Sequence, residues 1–89
     1  MPAAAGDVRE FYSGNPSTTR EQACLNARQE AQLRVGMKWE APPNGDQRGK
    51  KRWKVAEYRG CTCEDRQGRV MDAFRWKCQI EVIARSPSW

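Results

Sequence analysis

Eighty-nine residues, 38% hydrophobic and 30% charged with a net charge of +5, describe one small domain with room for a core of modest size. No run approaches the roughly 18–20 apolar residues that a spanning helix needs. Residues 1–47 carry five basic and six acidic groups and residues 48–89 carry eleven and five, so the excess sits in the second half. It suits an anionic partner, or simply a well-solvated loop.

Residues 1–16 show no sustained periodicity and are expected to form a flexible arm, with Phe11 and Tyr12 tucked against the domain. Met1 to Gly6 has neither the charged start nor the apolar stretch of a secretory leader, while Ala3-Ala4-Ala5 looks like the small-residue end of a cleavage site. A cytosolic protein and an exported one written without its leader both fit.

Thr18 with Glu21 three residues on matches a capping box, in which each side chain accepts from an amide left unpaired by the first turn. Cys24, Ala27, Ala31 and Val35 then fall on one stripe with Ala23 beside it, Leu25 and Leu33 lying off it, and Gly36 is placed to end the helix in a left-handed conformation with Met37 folding back. A helix over 18–35 is predicted. Met37, Trp39 and Ala41 alternate with Lys38 and Glu40 as a short strand, which Pro42-Pro43-Asn44-Gly45 stops. A basic loop runs to Arg52. Trp53 to Tyr58 resumes strand character with a bulge near Arg59-Gly60, and Glu64 to Arg69 reads as a turn.

The clearest signal is Met71 to Arg85. From Phe74 onward, Phe74, Trp76, Cys78, Ile80, Val82 and Ala84 alternate with Arg75, Lys77, Gln79, Glu81, Ile83 and Arg85, the period-two pattern of a long half-buried strand. The predicted class is α+β: one helix on one face of a three-stranded antiparallel sheet, in the order α-β-β-β. The domain is expected over 17–86, with a C-terminal tail at 87–89.

Four cysteines, Cys24, Cys61, Cys63 and Cys78, accompany a complete absence of histidine. Structural zinc sites commonly pair their thiolates as C-x2-C, whereas this chain has one C-x-C and two distant singles, so no metal is predicted. Disulfides in an exported domain are the preferred reading, and four reduced cysteines packed as small hydrophobes the alternative. With the Glu64–Arg69 turn as the centre of the hairpin, Cys78 faces position 57, beyond bridging distance of Cys61 and Cys63. Cys24–Cys78 is therefore the predicted bridge. Cys61 and Cys63 remain as a second pair; alternatively one of them reaches Cys24, or both stay free. A bond between these near neighbours would be readily reduced, so a redox role for Cys61-Thr62-Cys63 is a conjecture.

Catalysis is not expected. The usual neutral-pH proton shuttle is missing, serines and acids occur singly in turns, Asp65 and Asp72 read as surface groups, and no phosphate-binding glycine loop or cofactor motif is present. A disulfide-braced binding domain, periplasmic or secreted, with a protein partner is the first expectation. The outer sheet face of Arg75, Lys77, Gln79, Glu81 and Ile83 would serve docking or self-association. The pattern Ala23-Cys24-x-x-Ala27-Arg28-x-x-Ala31 followed by strands resembles small periplasmic modules of bacterial envelope and flagellar-assembly proteins, over about half the chain.

A second expectation is nucleic-acid binding, with Arg48, Lys50, Lys51, Arg52 and Lys54 on phosphates and Trp39 and Trp53 stacking on bases. The helix–strand–strand–strand order resembles the first part of a double-stranded-RNA-binding domain, without that family's second helix. A third is a small inhibitor or immunity-type protein whose basic loop and tryptophans block a larger partner.

Overall fold

The computed structural model describes residues 6–89. Strand β1 spans Asp7–Ser13, helix α1 Arg20–Gly36, β2 Trp39–Glu40, β3 Lys51–Arg52, β4 Lys54–Asp65 and β5 Trp76–Arg85. The fold is α+β, one helix against a three-stranded antiparallel sheet of order β1-β5-β4, while β2 and β3 pair as a separate short ribbon.

Two of the three predicted sheet strands are in place and the third is a different segment. The Met37–Ala41 region contributes only the two residues of β2, outside the main sheet. Its place is taken by Asp7–Ser13, from the segment expected to be an arm, which pairs with β5 from Asp7↔Arg85 to Ser13↔Gln79. Thus the order is β-α followed by the ribbon and β4-β5. Residues 1–5 of that arm lie outside the described residues.

β5 takes the centre because its inner row is wholly apolar: Cys78, Ile80, Val82 and Ala84 are at most 4% exposed. Phe74 is not part of it. Asp72–Phe74 forms a 3-10 turn, Phe74 and Met71 are exposed, and the strand starts at Trp76.

The helix begins one residue later than the capping-box reading placed it. Thr19, in extended conformation, accepts from the amide of Gln22 at 3.1 Å, leaving Thr18 outside. At the other end Gly36 remains helical without a positive φ, and the amides of Met37 and Lys38 donate to Arg34 and Val35 carbonyls in a tightened last turn. Met37 points to solvent instead of folding back.

The buried helix row is Ala23, Ala27, Ala31 and Val35, all fully buried. Cys24, expected on that row, is one residue off it and flanks the core on the side of β4. Three alanines in the row bring the helix backbone close to the sheet. At the closest point, Gly14, directly after β1, passes beneath Asn26 and Ala27, where any Cβ would overlap helix backbone.

β4 carries apolar or sulfur residues at Val55, Tyr58, Cys61 and Cys63, a spacing that strict alternation would scatter over both faces. Two bulges, at Ala56 and Arg59, absorb the extra residues, so all four stand opposite the inner row of β5. The second bulge lies where the sequence predicts one. Ten residues, Arg66–Arg75, connect β4 to β5, closed by a 2.8 Å bond from the Arg66 amide to the Arg75 carbonyl. Asp65 receives both Arg75 nitrogens, at 2.8 and 2.9 Å, together with the Gln67 amide. Arg75 therefore serves the turn and is not on the strand's outer face.

Candidate functional site

The longer connection resets the register that decides the cysteine pairing. Cys63 lies directly opposite Cys78, not several residues along from it, and the two are bonded with a Cα separation of 4.0 Å. Cys24 bonds Cys61 across 6.1 Å between Cα atoms, tying the helix to the edge strand β4 and not to β5. The expected Cys24–Cys78 and Cys61–Cys63 pairs are thus both replaced. The physical reasons are the ten-residue connection and the position of Cys24 on the β4 side of the helix. Among the described residues no cysteine is free.

Because Cys61 and Cys63 share a strand face, the two bridges lie against each other, with Cys61 Sγ 3.9 Å from Cys63 Sγ. Cys78 Sγ is 3.7 Å from the Arg20 carbonyl oxygen, a contact and not a hydrogen bond, since a bridged sulfur carries no proton. A cavity of about 530 Å³ between α1 and β4 opens onto this sulfur cluster, lined by Cys24, Cys61, Cys63, Ile80 and Leu25 with Arg20, Glu21 and Arg28. The Arg28 guanidinium stacks 4.3 Å above the Tyr58 ring on the same side.

The basic residues do not act as one loop. Arg48 sits in a 3-10 turn beside Asp46, whose carboxylate lies 3.6 Å from Arg48 Nε. Lys50 lies over the Trp39 ring at 4.3 Å. Lys51, Arg52 and Lys54 instead come together around a cleft of about 310 Å³ with Arg85, Ser86, Pro87 and Ser88. Within it Lys51 Nζ donates to the Ser88 carbonyl at 3.0 Å and covers the Trp89 ring at 4.9 Å. Arg52 donates to the Gly36 carbonyl at 3.1 Å, a cation at the negative end of the helix dipole. Among the described residues no acidic side chain lines the cleft.

Sequence reasoning missed Arg85 and the tail residues here. Arg85 faces Lys54 across the sheet, a proximity that becomes visible only once the β4–β5 register is known. Its charge is offset by Asp7, which accepts from Arg85 at 2.9 and 3.1 Å; the Arg85 bond holds the Asp7 carboxyl below its usual range. The cleft cations without a carboxylate partner among the described residues are therefore Lys51, Arg52 and Lys54. Of the two tryptophans expected to stack on bases, Trp39 is exposed and Trp53 packs against the core.

On the outer sheet face the charges largely satisfy one another. Arg9 Nε pairs with Glu81 at 2.9 Å, and Ile83, opposite both Arg9 and Glu57, is half-buried. Under the helix end, Glu10 accepts from Lys38 and from the Tyr12 hydroxyl. Burial acts to raise the Glu10 carboxyl, but the bonds from Lys38 and Tyr12 outweigh it and hold it below the ordinary value. Asp65 is lowered to about 2 by its bonds from Arg75.

The molecule is a small two-disulfide α+β domain without an evident catalytic constellation among the described residues. No helix among them is long and apolar enough to cross a membrane. Compared with known proteins, the chain matches no family model, no curated protein and no solved structure.

Proposed function

We propose that this protein is a non-catalytic binding domain of an oxidising compartment, periplasmic or extracellular, and that it docks an acidic segment of a protein partner at its basic end. The carrying observation is the cleft in which Lys51, Arg52 and Lys54 converge with no acidic side chain among the described residues on its walls. Three cations in one cleft, none of them ion-paired among the described residues, create a local positive potential that attracts and orients carboxylates. The exposed Trp39, covered by Lys50, and the half-exposed Trp89, covered by Lys51, flank it with the aromatic area typical of protein contacts. A nucleic-acid track is less well served, because Arg48 pairs with Asp46 and neither Arg48 nor Lys50 lines the cleft, which leaves the cation row short. Two bridges in a chain of this size fit a compartment where thiols are kept oxidised.

Binding of an acidic decapeptide and of a single-stranded oligonucleotide of equal charge, measured over a salt series, tests the reading. The peptide is expected to bind, to weaken as salt rises, and to lose at least ~10-fold affinity in the Lys51→Gln/Lys54→Gln variant. Tighter binding of the oligonucleotide would move the assignment to nucleic acid. No binding of either at low salt refutes the cleft as a docking site. For the compartment, alkylation of native protein taken directly from cells is expected to leave all four cysteines unmodified until reductant is added.

A further inference from the structure

Three sulfurs gather at one point, Cys61 and Cys63 on β4 and Cys78 on β5, and the fourth, Cys24 on α1, is joined to them by its bond to Cys61. The Sγ atoms of Cys61, Cys63 and Cys78 all lie within 4.8 Å of one another; Cys24 Sγ, bonded to the first of them, stands outside that group and would swing inward once its bridge is opened. A tetrahedral zinc–thiolate centre has Zn–S distances of about 2.3 Å, so its sulfurs stand about 3.8 Å apart. The 3.9 Å between Cys61 Sγ and Cys63 Sγ already matches that edge. We propose that the reduced form of this protein binds one zinc ion through Cys24, Cys61, Cys63 and Cys78, so that the same four sulfurs brace the fold as disulfides when oxidised and as a metal centre when reduced.

The chemistry closes with a dithiol as reductant. Two dithiol molecules each give two electrons and two protons to one bridge, leaving as cyclic disulfides and releasing four cysteine thiols. Zinc then binds the four thiolates, and four protons pass to solvent. Within each former bridge the sulfurs must part from bonding distance to about 3.8 Å, a movement that side-chain rotation can supply. Cys24 still holds the helix to the sheet, now through the metal.

The surroundings suit such a centre. A zinc ion with four thiolates carries two negative charges, and Arg20 and Arg28 line the cavity over the sulfurs, with Glu21 opposing one of them. That cavity also provides a route for the ion from solvent. In reverse, two molecules of a small-molecule disulfide each accept two electrons from a pair of thiolates and two protons from solvent, leaving as dithiols; the two observed bridges form, all four ligands are lost and the zinc ion is released.

The test uses the full chain, prepared oxidised and dithiol-reduced, each exposed to zinc and desalted. The reduced protein is expected to retain one zinc per chain and the oxidised protein none. Cobalt substituted for zinc is expected to give a thiolate-to-cobalt charge-transfer band and the visible absorption of tetrahedral coordination. Cys78→Ser and Cys24→Ser are each expected to lower zinc affinity on the order of 100-fold or more, at least as much as the loss of a contact that merely supports a zinc ligand. If reduction unfolds the chain, zinc is expected to restore its helical circular dichroism. The proposal is overturned if the reduced chain, folded or not, retains no zinc, if the oxidised form retains as much, or if cobalt shows octahedral coordination.

Discussion

Replacing Gly14 by alanine probes how closely β1 and α1 are forced to share space. A methyl group there would stand 2.2 Å from the Ala27 nitrogen, 2.3 Å from the Asn26 carbonyl carbon and 2.6 Å from the Ala27 Cα. All three are helix backbone, so no side chain can rotate away. Restoring ordinary contact at about 3.5 Å requires roughly 1 Å of added separation between helix and strand, and a gap of that size forfeits about a quarter to a half of each dispersion contact across it. Those contacts belong to Ala23, Ala27, Ala31 and Val35, every one 0% exposed. Overpacking a core costs about 1–3 kcal/mol, occasionally more, and a backbone obstruction places Gly14→Ala at about 3 kcal/mol or above. For a domain of this size that is a fall in Tm of roughly 12–24 °C. Gly36→Ala is the control: it is helical, has nothing within 4 Å of an added Cβ, and is expected to gain about 0.5–1 kcal/mol. Thermal and urea unfolding followed by circular dichroism, with the bridges intact, measure both. A Gly14→Ala protein melting within about 2 °C of the parent would refute the close crossing of β1 beneath the helix.

Chain-entropy arguments assign the Cys24–Cys61 bridge, with a sequence separation of 37, about 4 kcal/mol and Cys63–Cys78, with a separation of 15, about 3 kcal/mol. Removing each pair as Ala/Ala is expected to lower unfolding free energy in that order by urea titration, and the Cys24→Ala/Cys61→Ala protein should keep its remaining two cysteines bonded by intact mass. Two free thiols in that variant would contradict the pairing. Acid stability depends on Asp65 and Asp7, whose folded pKa values lie below their unfolded ones, Asp65 at about 2. Their contribution is fully present above about pH 4 and is lost as pH falls toward 2, so urea midpoints should drop across that window. Asp65→Asn is expected to make the drop shallower; an unchanged profile would show that the Arg75 bonds add nothing in solution.

Strand β5 and helix α1 were legible because each carries its own period: an unbroken apolar alternation from Trp76 to Ala84, and small residues four apart from Ala23 to Val35. β1 was not. Its inner row is Val8, Glu10 and Tyr12, a half-polar set that does not read as a strand until β5 supplies the partner and Lys38 supplies the counter-charge for Glu10. The basic segment was visible as composition, yet which of its cations converge depended on Arg85 and the tail arriving beside Lys54.

What the amino-acid order determined by itself was local: one amphipathic helix, one long alternating strand, each to within a residue or two of its ends, and that the helix must cover one sheet face. What tertiary structure alone decided was every pairing between distant residues, above all which sulfur meets which. A hairpin connection of ten residues and two bulges in β4 shift partners along the strands by several positions, and one step around the helix turns Cys24 from the central strand toward the edge. Such offsets are set by the packing of the whole sheet against the helix. They leave no mark on the periodicity of any single segment, which is why the four cysteines were countable in the chain and their convergence was not.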